Sequence, residues 1–457
     1  MTEREHEPAG SGAERAEPTA LSAPPGPSTS WVSVAALCAA VIAVYVVVLP
    51  TGFLSYDDPW LVVANRMLDN PSPKALGSVW GAFDQATRLE LGAEYLPVRD
   101  TLSWVLVRLA GKSAPAFHLA QLATYLGAVL FVRAWLARVL ERPAAAELAA
   151  WLFALHPAHV SSVAWIAGWK DALALFFASA AMAAHARAST RQGSRTSAAA
   201  VALLTALACL SKGVAVVTPA FLLLGDVLAR RRVGWERVLA SGAVALGSVA
   251  LQLAVGRVVG MLAEPLGGGP AGAVSSMAPV AFRYLGVSLL VDPPCIVRTV
   301  EVHSLASPVA LASLAGIAAA VAWAGLAWRR RGERVPLAAV GLFAAGLAPV
   351  SQVLAPLQNR MADRYLLFAV LGPCVALAVA LTTRLRAPLA RLAGGALALA
   401  AAMSSALHAW EFSDERRLWE SALAREPSSP LPAFQLGRLE LERGELGPAE
   451  ALLRRAI

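Results

Sequence analysis

Eleven apolar runs with charged loops between them decide what this sequence can become. They fall at about 31–50, 117–137, 144–155, 170–186, 196–210, 213–229, 238–256, 307–328, 335–350, 365–382 and 388–408. About twenty apolar residues in a row span a bilayer as a helix. The runs at 144–155 and 196–210 are short for that, and have to tilt or borrow from their flanks. Composition agrees: 57% of the 457 residues are hydrophobic and 15% charged, against roughly 45–50% and 25% in soluble domains. The expectation is an all-α, polytopic membrane protein with about eleven transmembrane helices. Net charge is +8, yet no basic, aromatic-studded face of a soluble fold is visible, so nucleic acid is not an expected partner.

The arginines orient the helices. Clusters stand at Arg133/Arg138/Arg142, Arg187/Arg191/Arg195, Arg230/Arg231/Arg232/Arg237, Arg329/Arg330/Arg331/Arg334 and Arg384/Arg386/Arg391. Each lies in an alternate loop, after the second, fourth, sixth, eighth and tenth runs. Short cytoplasmic loops carry such an excess of Lys and Arg. The N-terminus is therefore expected in the cytoplasm, with the loop after the first helix and the C-terminus on the other side. Residues 1–30 are rich in Glu, Ala, Pro, Gly and Ser without periodicity, and read as a disordered cytoplasmic tail. The run behind them is too long, and its flank too acidic, for a cleaved signal, so it reads as a retained first helix.

Two non-apolar regions need their own account. The first outer loop, 51–116, is too long to be structureless. Ser72-Pro73 opens a helix there, with Ser as N-cap and Pro at the first helical position. Leu76, Val79, Trp80 and Phe83 follow at helical spacing, with Lys74, Asp84 and Arg88 as polar partners. That helix either lies on the membrane surface or is simply buried. Asp292-Pro293-Pro294 ends a helix or a re-entrant segment. Residues 411–457 turn charged and amphipathic, and the end reads helix, turn, helix. Ala433, Leu436 and Gly437 mark one helix and Ala449, Leu452, Leu453 and Ala456 the other, with Gly444 between. These offsets suit a tetratricopeptide-like segment. A lone repeat cannot bury its own face, so it belongs to a longer array or docks on the membrane domain of 31–410.

Four outer segments hold most of the polar groups that scaffold alone leaves unexplained. They are Asp57-Asp58 with Glu94–Asp100; His156-Pro157-Ala158-His159 running to Lys170-Asp171; Ser211-Lys212-Gly213; and Gln358–Tyr365. Ionisable groups at a membrane face are costly to place without a use. Converging cations and carboxylates suit group transfer from an anionic lipid, the cations holding phosphate and a carboxylate taking a proton. The repulsion of adjacent carboxylates raises one pKa toward a base's range. The same set would suit an ion pathway. His156 and His159 alone are a poor metal site, and structural hydrogen bonding or acceptor contact are their two readings. Cys38, Cys209, Cys295 and Cys374 are scattered without CxxC spacing, so no metal site is expected from them.

In order along the chain, Ser55-Tyr-Asp-Asp58, Leu155-His-Pro-Ala-His-Val160 with Ala164-Trp-Ile-Ala-Gly168, Leu210-Ser-Lys212, Pro349-Val-Ser351 with Leu357-Gln-Asn-Arg360, and Asp363-Arg-Tyr365 resemble one family. It is the transmembrane and tetratricopeptide-repeat-containing O-mannosyltransferases and their bacterial relatives, in the GT-C superfamily of glycosyltransferases. The resemblance implies an inverting transfer of a mannose-like sugar from a polyprenyl-phosphate-linked donor to a hydroxyl, often Ser or Thr of an exported protein, on the non-cytoplasmic face. It implies an acidic base in the first outer loop: Asp57 first, Asp58 as its positioning partner, with the order within the pair left open. Arg364, Lys212, Arg99 and Lys170 are the expected ligands of the donor phosphate. His156, His159, Tyr95 and Asp363 are assigned to acceptor contact or structure. No cofactor is expected; a divalent cation is left open but not indicated, since Arg and Lys can stand at the phosphate.

The chain departs from the family where Tyr95-Leu96-Pro97 stands for Tyr-Arg-Pro, where Gly168-Trp169-Lys170-Asp171 stands for Gly-Arg-Lys-Asp, and where Gly213 follows Ser211-Lys212. These touch donor and acceptor identity more than reaction class. One rival keeps the chemistry but uses a glycolipid or cell-wall polymer as acceptor. A second is a non-catalytic transporter or repeat-bearing scaffold, against which stands the lack of matching inverted halves.

Overall fold

The computed structural model describes residue 2 and residues 31–189, 195–260 and 263–457, with only the backbone of Arg195 and Thr196. The tail expected over 1–30 and the side chains of Arg191 and Arg195 lie outside them. Among the described residues every regular element is a helix. Six helices are long and apolar enough to cross a membrane: Trp31–Val48, Ala114–Val139, Ile166–Ala188, Trp235–Val259, Pro308–Arg331 and Ala387–Phe412. Protein covers only 11% of the most apolar window of Pro308–Arg331. A helix so apolar and so bare needs lipid around it, and the chain is an integral membrane protein.

Five shorter apolar helices, Pro143–Ala154, Ser197–Ser211, Gly213–Leu228, Val335–Val350 and Leu371–Arg384, occupy the remaining apolar runs. Ala114–Val139 packs along Trp169–Ala188, which packs in turn on Arg195–Ser211 and so on Trp235–Val259. Pro143–Ala154 lies on Leu371–Arg384, and that helix on Val335–Leu347. Backbones approach closely at small residues, as expected between membrane helices: a Cβ on Gly372 would stand 2.3 Å from the Ala339 carbonyl oxygen.

Arginine-rich loops gather at one end of this bundle. Arg231 donates to the carbonyls of Ala186 and Arg138, tying three of the loops together. Arg142, Arg230, Arg334 and Arg384 border a single cleft there.

One helix was not legible as an apolar run. Pro270–Ser288 carries Pro279 in its interior and packs against Pro308–Arg331. It stops short of Asp292-Pro293-Pro294, where the sequence places a helix end.

The first outer loop folds into a short π-helix, Pro59–Val63, and four α-helices, Arg66–Asp69, Pro73–Gly81, Gln85–Glu90 and Pro97–Ala110. Pro73–Gly81 begins where expected, Ser72 accepting from the Ala75 N–H at 3.2 Å. It is shorter than its spacing suggests: Phe83 lies beyond its end, and Asp84 caps the next helix, Gln85–Glu90. Arg88 is fully buried and donates to the Ser78 and Val79 carbonyls, closing the C-terminal end of Pro73–Gly81. Val79 is buried while Trp80 and Phe83 stay exposed.

The C-terminal segment docks. Glu415–Arg425 lays Trp419, fully buried, edge-on against Tyr56 at 5.5 Å. Glu415 accepts from the Ser55 N–H and hydroxyl. Arg425 pairs with Glu411 and donates to the Pro294 carbonyl. The hairpin of Pro430–Glu442 and Leu446–Arg455 packs behind. Its turn needs Gly444, whose φ is +81°.

Candidate active site

Asp57 and Asp58 part company at once. Asp58 is fully buried, and its two oxygens accept from the Leu54 N–H at 2.9 Å and the Ala167 N–H at 2.8 Å. Burial pushes this carboxyl up to about 7, against the pull of those two bonds. It staples the first outer loop to the segment before Trp169–Ala188. Asp57 next to it is half-buried, and its carboxylate makes no hydrogen bond or ion pair among the described residues. Burial raises its pKa; Lys170, Arg364 and Lys212 pull it back, and Glu94 adds to the rise.

Glu94 belongs to the same outer loop as Asp57, and Lys170, Lys212 and Arg364 come from three other segments. Lys170, in the first turn of Trp169–Ala188, pairs with Glu94. Glu94 keeps 39% of its side chain exposed. Burial would raise the Glu94 carboxyl, but Lys170 and Lys212 outweigh it and hold it at about 2. Lys212 follows directly on Arg195–Ser211 and pairs with buried Asp171 at 3.0 Å. Burial lowers the Lys212 pKa and Asp171 opposes that.

Arg364 differs from both lysines: its guanidinium has no carboxylate partner among the described residues. It lies over the rings of Trp165 and Tyr365 at 5.4 and 5.6 Å. Tyr56 stacks on the Trp165 ring at 5.5 Å. An aromatic row thus runs from the residue before Asp57 to the residue after Arg364. Gly168 permits the tight turn that presents Trp165 and Lys170, since a Cβ there would stand 2.4 Å from the Ser161 carbonyl oxygen.

Several expected site residues are used elsewhere. Arg99 is buried, paired with Asp100 and bonded to the Leu91 carbonyl, so it is taken up in the loop's core and not presented beside Asp57. Tyr95 is buried, its hydroxyl donating to the Trp80 carbonyl at 2.8 Å. Asp363 accepts two bonds from Arg298 and one from the Cys295 N–H, and is fully used as a brace. His156 Nδ1 accepts from the Ala158 N–H, which leaves Nε2 to donate to the Ser288 carbonyl. His159 bonds the Tyr125 hydroxyl and the Leu367 carbonyl. Both histidines pin loop to helix. Among the described residues no three His, Cys, Asp or Glu side chains are grouped to hold a metal ion.

No protein-family model matches this sequence, and no curated protein matches it. Among solved structures, the apo oligosaccharyltransferase of Archaeoglobus fulgidus aligns over 87% of this chain at 15% identity and TM-score 0.45. The chain covers 58% of that protein's length. ArnT from Cupriavidus metallidurans, solved with undecaprenyl phosphate bound, aligns over 94% of this chain and 75% of its own, also at 15% identity and TM-score 0.45. At this level the similarity assigns neither family nor activity.

Sequence reasoning had no hold on Arg298, Arg283 and Glu426. Arg298 is 4% exposed and bridges Asp363 to Glu426, to which Arg283 also pairs. This network fixes the residues leading into Arg364 and fastens the C-terminal segment to the same wall. A lone arginine in a loop carries no signal of such a role.

Proposed function

We propose that this chain is an inverting membrane glycosyltransferase of the GT-C kind, with about eleven spans and its reaction centre at the end of the bundle away from the arginine-rich loops. The donor is a polyprenyl-phosphate-linked, mannose-like sugar, and the acceptor a hydroxyl, Ser or Thr of an exported protein being the first choice. The observation that carries this reading is the unpartnered Asp57 carboxylate lying within the electrostatic reach of Lys170, Arg364 and Lys212.

In this mechanism the acceptor oxygen attacks the anomeric carbon while Asp57 takes its proton. The bond from that carbon to the phosphate oxygen breaks, and its electron pair leaves with the lipid phosphate. Arg364, with no carboxylate to neutralise it, is the strongest candidate to meet that charge; guanidinium and phosphate match in geometry. Lys170 and Lys212, already paired, add field rather than direct contact. A carboxyl held above its ordinary pKa is a better base at neutral pH. Asp58 is assigned to holding the loop, not to the proton.

Incubating the purified protein with labelled polyprenyl-phosphate mannose tests this. Label in an exported protein or acceptor peptide supports the whole reading, and label in a glycolipid or polymer keeps the chemistry while changing the acceptor. No label with any polyprenyl-phosphate sugar overturns it in favour of a transporter or scaffold. With a protein acceptor, the C-terminal hairpin, read as a tetratricopeptide-like unit, presents it from behind Glu415–Arg425, the helix that packs on Tyr56.

A further inference from the structure

At the opposite end of the bundle lies a cleft of about 680 Å³. It opens between the ends of Thr218–Leu228 and Leu371–Arg384 and the start of Val335–Leu347. That is well within the roughly 300–1,000 Å³ of small-molecule sites. Its lining is mostly apolar, with Leu140, Leu228, Val340, Val379 and Ala380 among its residues together with the exposed ring of Trp323. Its rim carries four arginines, Arg142, Arg230, Arg334 and Arg384, against two glutamates. Glu141 is spent on Arg230 at 3.4 Å, and Glu333 reaches Arg331 at 4.0 Å. The guanidinium groups of Arg142, Arg334 and Arg384 have no partner among the described residues.

An apolar slot under an uncompensated guanidinium rim, at the ends of apolar helices, suits a molecule with an anionic head and an apolar tail. We propose that this cleft binds an anionic phospholipid, its phosphate headgroup among Arg142, Arg334 and Arg384 and its upper acyl chains against Ala380 and Trp323. A basic pocket between membrane helices attracts anionic headgroups in this way, and indole rings favour the same interfacial depth. Zwitterionic lipid fills the slot equally well but gains nothing net from the rim. The site is independent of the chemistry proposed at Asp57.

The full-length protein, purified in mild detergent and stripped of lipid, is titrated with phosphatidylglycerol or phosphatidylethanolamine, and bound lipid is counted by native mass spectrometry. One saturable phosphatidylglycerol site, at least about tenfold tighter than phosphatidylethanolamine, is expected. The variant Arg142→Gln/Arg334→Gln/Arg384→Gln should erase that preference. Ala380→Trp, which keeps the arginines but fills the slot, should erase the tight site itself. Inorganic phosphate at millimolar concentration should not displace the lipid. Equal affinity for the two lipids, an unchanged preference in the arginine variant, or displacement by phosphate would each overturn the proposal.

Discussion

Replacing Asp58 and Asp57 one at a time by Asn separates the two halves of the acidic pair. Asp58 accepts from two buried N–H groups, one of them 109 residues away along the chain. In Asp58→Asn the amide oxygen serves one N–H, but the NH2 group turns a donor toward the other. One buried donor is left unpaired, about 1–3 kcal/mol. Asp57→Asn removes no hydrogen bond, and its cost should stay within about 0.5 kcal/mol. The assay is thermal unfolding of each purified variant in detergent by tryptophan fluorescence, together with the half-life at a fixed temperature, since large membrane proteins unfold irreversibly. It should be run near pH 6, below the value of about 7 to which burial pushes Asp58, so that the carboxyl is neutral in the fold and its replacement relieves no buried charge. Asp58→Asn should lose several degrees and Asp57→Asn almost none. Equal losses, or the larger loss in Asp57→Asn, would refute the division of roles.

Three further outcomes follow from the same geometry. Arg364→Ala should slow transfer by roughly two orders of magnitude, the scale of losing one preorganised charge contact, while Arg364→Lys recovers part of it and circular dichroism stays unchanged. Arg298→Ala leaves the Asp363 carboxylate buried without its cation and should cost about 3–5 kcal/mol, read as lost thermal stability, with the paired variant Arg298→Met/Asp363→Leu regaining most of it. Burial raises the Asp57 pKa and the nearby cations only partly reverse it; the base is active when deprotonated, so transfer should rise with pH through a midpoint above the ordinary 3.8 of an aspartate, and a midpoint at or below 3.8 would count against it.

The helices were legible because lipid makes hydropathy a local property: each apolar run meets a helix without knowledge of its neighbours. Pro270–Ser288 escaped because Ser275, Ser276, Pro279 and Arg283 dilute its apolar character. Its polar residues face protein, Ser275 bonding the His303 carbonyl and Arg283 pairing with Glu426. At the candidate site the convergence of Asp57, Lys170, Lys212 and Arg364 could be anticipated, because the loop charges place their segments at one end. Their separate states could not. Whether a carboxylate is free or stapled depends on backbone donors such as the Ala167 N–H, and whether an arginine is free depends on partners such as Asp100. Arg99 illustrates the difference: the acid that occupies it stands next in sequence, but only the fold closes the pair and buries both.

The central claim is that the Asp57 carboxylate takes the acceptor's proton. Single-turnover transfer from a labelled polyprenyl-phosphate sugar, measured on the wild type and on folded, purified Asp57→Asn, tests it most directly. A fall of about 10²–10⁴-fold, with donor binding retained, is the size expected on removing a general base. Transfer by Asp57→Asn within tenfold of the wild type would contradict the account.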